Sequence, residues 1–135
     1  MAEKMNNKIT PSVMALAYLG DAQHALLVRR MLVDRGISKS ADLNREALRF
    51  VTAEAQAAAF EKISDLLTEE EAAIFKRAHN SSHLNRPKHA SGKDYRVATG
   101  FEAVLGLLSY MGDSERLDYL FELSHSEDTD DDKEN

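Results

Sequence analysis

The stretch TPSVMALAYLGDAQHALLVRRMLVDRG, residues 10–36, decides the architecture. Thr10 followed by Pro11 reads as an N-cap with a first-turn proline, and Gly36 reads as the stop, so one long helix is expected between them, reaching about Asp34. A helix of that length carrying Leu, Val, Met and Ala on more than one stripe needs other helices to cover it. Working outward, Ser40 reads as the cap of a helix over 41–50, and Thr52 marks a break or restart before a segment running to about Leu66. Thr68 and Glu71 form a capping box that opens a helix over about 69–79. The longest irregular stretch follows, NSSHLNRPKHASG at 80–92, where Pro87 and Gly92 forbid a continuous helix. Ser91 and Asp94 form a second capping box before KDYRVATGFEAVLGLLSYM, and a last short helix follows Gly112 and Asp113, ending near Leu123.

Composition agrees with this pattern. The 135 residues include 18 alanines and 16 leucines against 15 Val, Ile and Thr together, with only 6 Gly and 2 Pro, which favours helices over sheets. An all-α single domain of five to seven helices is expected, without internal repeats. We expect the domain to occupy 1–125 and an acidic, disordered tail to occupy 126–135. With no cysteine, disulfide scaffolds, thiolate metal sites and cysteine nucleophiles are excluded together. No apolar run approaches the roughly 20 residues of a membrane span, and MAEKMNNKIT has no signal-peptide core, so a cytoplasmic protein without a membrane partner is the expectation.

The formal net charge of −6 is uneven. SEDTDDDKEN at 126–135 holds −5 of it, leaving the body nearly neutral, while residues 76–96 carry a local +5 from Lys76, Arg77, Arg86, Lys88, Lys93 and Arg96 against Asp94. One basic segment on a neutral body fits a local anionic partner or, equally, a solvated charged loop.

Two carboxylates occupy unusual positions. The helical neighbours of Asp21 are Met14, Ala17, Tyr18, His24, Ala25 and Val28, and those of Glu102 are Tyr95, Ala98, Thr99, Leu105, Gly106 and Ser109. Both therefore fall on largely apolar faces, where a carboxylate needs a partner, and Asp21 is expected to be at least partly buried. His24 or Arg29 could serve Asp21, and Arg96 or Thr99 could serve Glu102; a shared metal ion is the other solution, and spacing leaves both open. Gly20 and Gly106 mark candidate points of close helix approach, since glycine within a helix costs about 1 kcal/mol against alanine.

These segments carry a resemblance. AYLGDA (17–22) with VRR (28–30), and DYR (94–96) with ATGFEAVLG (98–106), resemble the two signature segments of the ribonuclease III catalytic domain, specifically the bacterial Mini-ribonuclease III family, which lacks a double-stranded RNA-binding domain. FVTAEAQAAAFE (50–61), LTEEEAAIFKRAHN (67–80) and RPKHAS (86–91) resemble it in order and spacing, so that the likeness runs over about residues 10–123. The resemblance implies metal-binding, catalytic roles for Asp21 and Glu102. Larger ribonuclease III enzymes carry further acids at the positions of Met14, Ala17 and Thr99, so a sparse protein shell is expected here.

The implied activity is endonucleolytic hydrolysis of double-stranded RNA with Mg²⁺, for which Mn²⁺ can substitute, giving 5′-phosphate and 3′-hydroxyl ends. Such a cation would polarise the phosphate, acidify the attacking water and stabilise the leaving 3′ oxygen. The implied assembly is a twofold homodimer with one site per strand, and the implied role is maturation of the large-subunit (23S) ribosomal RNA precursor. Met14, Tyr18, Leu19, Leu26 and Leu27 exceed a single apolar stripe, consistent with surface buried between subunits or, equally, with a helix buried within one chain. Arg86 and Lys88 are the foremost phosphate-contact candidates, ahead of Lys76, Arg77 and Lys93. His24 has no partner histidine in a recognisable motif and reads as a packing or supporting residue. The alternatives are a non-catalytic double-stranded RNA-binding or ribosome-assembly homologue, and a helical adaptor in which Asp21 makes a structural salt bridge.

Overall fold

The computed structural model describes residues 10–82 and 92–126. These form six α-helices and one 3₁₀ turn, with no strand among them: α1 (Val13–Asp34), α2 (Ser40–Val51), α3 (Ala53–Glu61), the turn Ser64–Leu66, α4 (Glu69–Ser81), α5 (Gly92–Met111) and α6 (Ser114–Ser124). The fold is all-α, as expected. No helix of the described residues is long and apolar enough to cross a membrane.

Side-chain caps set most helix starts among the described residues. The cap of α1 is Ser12, whose hydroxyl accepts from the Ala15 N–H at 3.0 Å, rather than Thr10. Pro11 thus precedes the helix instead of opening it, because the serine placed just ahead of Val13 satisfies an otherwise unpaired N–H. Gly36, at φ +87°, ends the helix: its N–H reaches Val33 O and that of Ile37 reaches Leu32 O. Thr52 caps α3 through the Ala55 N–H, so the break there is real, but α3 stops at Glu61 instead of running to Leu66. Ile63, fully buried, anchors the chain there before the 3₁₀ turn. Ser40 is the first residue of α2 and not its side-chain cap. The capping box at Thr68 and Glu71 forms with both reciprocal bonds, and Glu71 additionally takes a two-pronged bond from Arg116 of α6.

Helix α5 is the centre of the molecule. Residues 98–108 are buried on every face with Glu102 as the exception, which is the pattern of a helix surrounded by others. Phe101, Val104, Leu105 and Leu108 pack with Phe60, Ile63, Leu117 and Leu120, while Ala103 and Leu107 pack against Val13, Leu16 and Ala17 of α1. Glu102 is therefore the one place where this stretch of the central helix opens towards solvent.

Candidate active site

Two glycines set the crossing of α1 and α5. A Cβ at Gly20 would lie 1.7 Å from the Glu102 carbonyl oxygen, and a Cβ at Gly106 would lie 1.8 Å from that of Leu16. Any side chain at either position would force the helices apart, so the close approach expected from the sequence is present. Gly20 immediately precedes Asp21, and its contact on α5 is Glu102 itself. The crossing thus places the two carboxylates side by side.

Their environments differ. Asp21 is exposed, which corrects the expectation of partial burial: α1 turns this edge outward, as Tyr18 at 84% exposure also shows. Glu102 is partly buried. Burial pushes its carboxyl up to about 7, with the negative charge of Asp21 and a hydrogen bond to Asp21 acting in the same direction and a hydrogen bond from Gln56 opposing them. The Gln56 Nε2 donates to Glu102 Oε2 at 3.2 Å and to the Val51 carbonyl at 3.1 Å.

The ordinary partners proposed for these acids are engaged elsewhere or absent from them. The Thr99 hydroxyl donates to the Tyr95 carbonyl of its own helix. No ion pair among the described residues includes Asp21 or Glu102. His24 does have a partner histidine, contrary to the sequence reading, at 2.7 Å between its Nε2 and that of His125. Both rings are buried among Phe101, Phe121 and Phe50. Burial, then the neighbouring His125, lowers His24 to about 3; burial, then Lys62, lowers His125 to about 4. The pair is neutral packing beneath the surface, as the supporting role expected of His24 requires.

Two carboxylates with no third histidine, aspartate or glutamate completing a metal cluster among the described residues offer hard oxygen donors and few of them. Such a set fits a hydrated, hard divalent cation better than a caged one. Like charges placed together, one of them raised by burial and then by the other, are what a bound cation would relieve.

Lys76 and Arg77 on α4 and Lys93 in the first turn of α5 are exposed. Arg86 and Lys88 lie outside the described residues. The residue that sequence reasoning missed is Gln56. Its signal was a lone amide within the alanine run AEAQAAAF, visible only as a polar interruption.

Comparison with known proteins identifies the family of the chain. Residues 14–113 match the ribonuclease III domain family. The chain is similar to the Mini-ribonuclease 3 of Symbiobacterium thermophilum, with 41% identity over 84% of this chain and 88% of the relative. It is also similar to that of Streptococcus pneumoniae, with 40% identity over 78% of this chain and 84% of the relative. A crystal structure of a Fusobacterium nucleatum protein superposes with a TM-score of 0.74 at 30% identity, covering 82% of this chain and 88% of that one. With both signature segments meeting at one helix crossing and relatives matched over most of their length, the chain belongs to the ribonuclease III domain family, in its Mini-ribonuclease 3 branch.

Proposed function

We propose that this protein is a divalent-metal-dependent, cytoplasmic endoribonuclease that hydrolyses double-stranded RNA, with Asp21 and Glu102 holding Mg²⁺, or Mn²⁺ in its place. The observation that carries the reading is the juxtaposition of these two acids across a glycine-tight helix crossing, with the Glu102 carboxyl raised beside Asp21. When bound, the cation supplies charge stabilisation at the scissile phosphate and a more acidic water. The chain supplies the rest. Exposed Asp21 and partly buried Glu102, the latter accepting a hydrogen bond from Gln56, would hold the cation. Arg86 and Lys88, followed by Lys76, Arg77 and Lys93, are proposed to hold backbone phosphates across the A-form minor groove. Hydrolysis breaks the bond from phosphorus to the 3′ oxygen, leaving 5′-phosphate and 3′-hydroxyl ends.

A homodimer would provide one site for each strand. The exposed Tyr18, at 84%, and Leu26, at 52%, on α1 support a further apolar interface. The proposed substrate is the precursor of large-subunit ribosomal RNA. Incubation of a long RNA duplex with Mg²⁺ should give double-strand cleavage that EDTA abolishes. Asp21→Asn should remove cleavage while leaving the helical fold and RNA binding in place. Metal-independent cutting, or full activity in a folded Asp21→Asn protein, would overturn the assignment; RNA binding without cleavage would instead identify a non-catalytic homologue.

A further inference from the structure

Glu102 reaches its site through a long, rotatable side chain, and a site with two protein carboxylates has little redundancy if one of them turns away. Gln56, on the first turn of α3, is 4% exposed, and both of its amide protons are committed, to Val51 O at 3.1 Å and to Glu102 Oε2 at 3.2 Å. Two acceptors facing the same NH₂ group determine which end of the amide points to them. The consequence is that Gln56 Oε1 is left buried with no hydrogen-bond partner. Packing alone would be served better by a hydrocarbon, or by an amide turned to satisfy its oxygen. The unpaired oxygen marks a side chain held for its donors.

We propose that Gln56 is a positioning residue: its amide ties the α2–α3 junction to Glu102 and fixes that carboxylate in the orientation in which it grips the cation together with Asp21. This rests on the metal-site reading above and assigns Gln56 no contact with the reacting atoms. Residues of this kind, bonded to a ligand rather than to the metal, usually change metal affinity by about 10–100-fold when lost.

The test is Mn²⁺ binding to the RNA-free protein, followed by the electron paramagnetic resonance signal of free Mn²⁺, in wild type, Asp21→Asn, Gln56→Met and Gln56→Asn. Wild type should bind and Asp21→Asn should not. Gln56→Met, which keeps length and removes the donor, and Gln56→Asn, whose amide is too short for both acceptors, should each weaken binding about 10–100-fold while retaining helical circular dichroism. A Gln56 variant that melts earlier yet binds Mn²⁺ like wild type would reduce the residue to a structural bond and overturn the inference alone. Wild type binding no better than Asp21→Asn would remove the metal-site reading and the inference with it. Should neither Gln56 variant fold, the side-chain NH₂ resonances of Gln56 in wild type decide the matter: they should shift on Mg²⁺ titration, and static resonances would overturn the proposal.

Discussion

Replacing Glu102 by glutamine should make the metal-free protein more stable, by an amount that depends on pH in a defined way. The Glu102 carboxyl is raised from 4.5 to about 7, first by burial and then by Asp21. The folded state therefore binds this proton more tightly than the unfolded chain, and stability falls as pH rises from 4.5 to 7 and is level above that. A displacement of this size corresponds to roughly 3 kcal/mol at about 1.4 kcal/mol per pH unit. Glutamine keeps the shape, accepts the Gln56 N–H and offers an N–H to Asp21, with no charge to desolvate. In EDTA, thermal melts of Glu102→Gln and wild type should coincide near pH 4.5 and separate through pH 7, reaching a difference on the order of 6–12 °C at pH 8 for a domain of this size. Saturating Mg²⁺ should raise the wild type and leave the variant unmoved, because ligand binding stabilises only the protein that binds it. A difference independent of pH, or a variant less stable than wild type at pH 8 in EDTA, would refute the view that these two acids are held together at a cost that the cation offsets.

Gly20→Ala places a methyl 1.7 Å from the Glu102 carbonyl oxygen, so it should destabilise the fold by about 3 kcal/mol and weaken Mn²⁺ binding; urea denaturation at an unchanged slope would read the first effect. The buried His24–His125 pair, lowered to about 3 and 4, should make stability fall as pH drops below 6.5, where the unfolded chain gains protons that the folded one refuses. Two such groups give a slope of about 2–3 kcal/mol per pH unit, and His125→Phe should roughly halve it in acid titrations of denaturant stability. Replacing Arg86 and Lys88 together by alanine should lower the salt dependence of duplex binding by roughly one to two units while sparing Mn²⁺ binding, and an unchanged salt slope would place the RNA surface elsewhere.

Boundaries set by a single local signal could be read from the sequence, and those where two caps compete or the tertiary surroundings decide could not. The capping box at Thr68 and Glu71 and the stop at Gly36 use bonds spanning a few residues, and both appear where expected. The start of α1 was misplaced because Thr10 and Ser12 are both competent caps, and only the bond to Ala15 tells them apart. The early end of α3 has no local punctuation. It follows from the burial of Ile63 against α5 and α6, a partner set that becomes adjacent only on folding.

At the site, the glycines and acids could be named from sequence, but their relative exposure could not. Neighbours at three, four and seven residues assign a helix face correctly only if every apolar neighbour is inside. Tyr18 is apolar in that count and 84% exposed in the fold, so it drew Asp21 inward on paper. Gln56 was missed for the complementary reason: its partner lies 46 residues away, and a glutamine in an alanine run carries no spacing rule. The resulting asymmetry has chemical sense. An exposed aspartate on a short side chain can admit a hydrated cation, whereas a partly buried glutamate, its carboxyl raised to about 7 by burial and by Asp21, gives up its proton more readily when positive charge arrives. Two equally exposed acids would repel each other less and restrain a cation less. The separation of these roles between α1 and α5 is possible because Gly20 and Gly106 let the two backbones touch at the one point where the central helix opens to solvent.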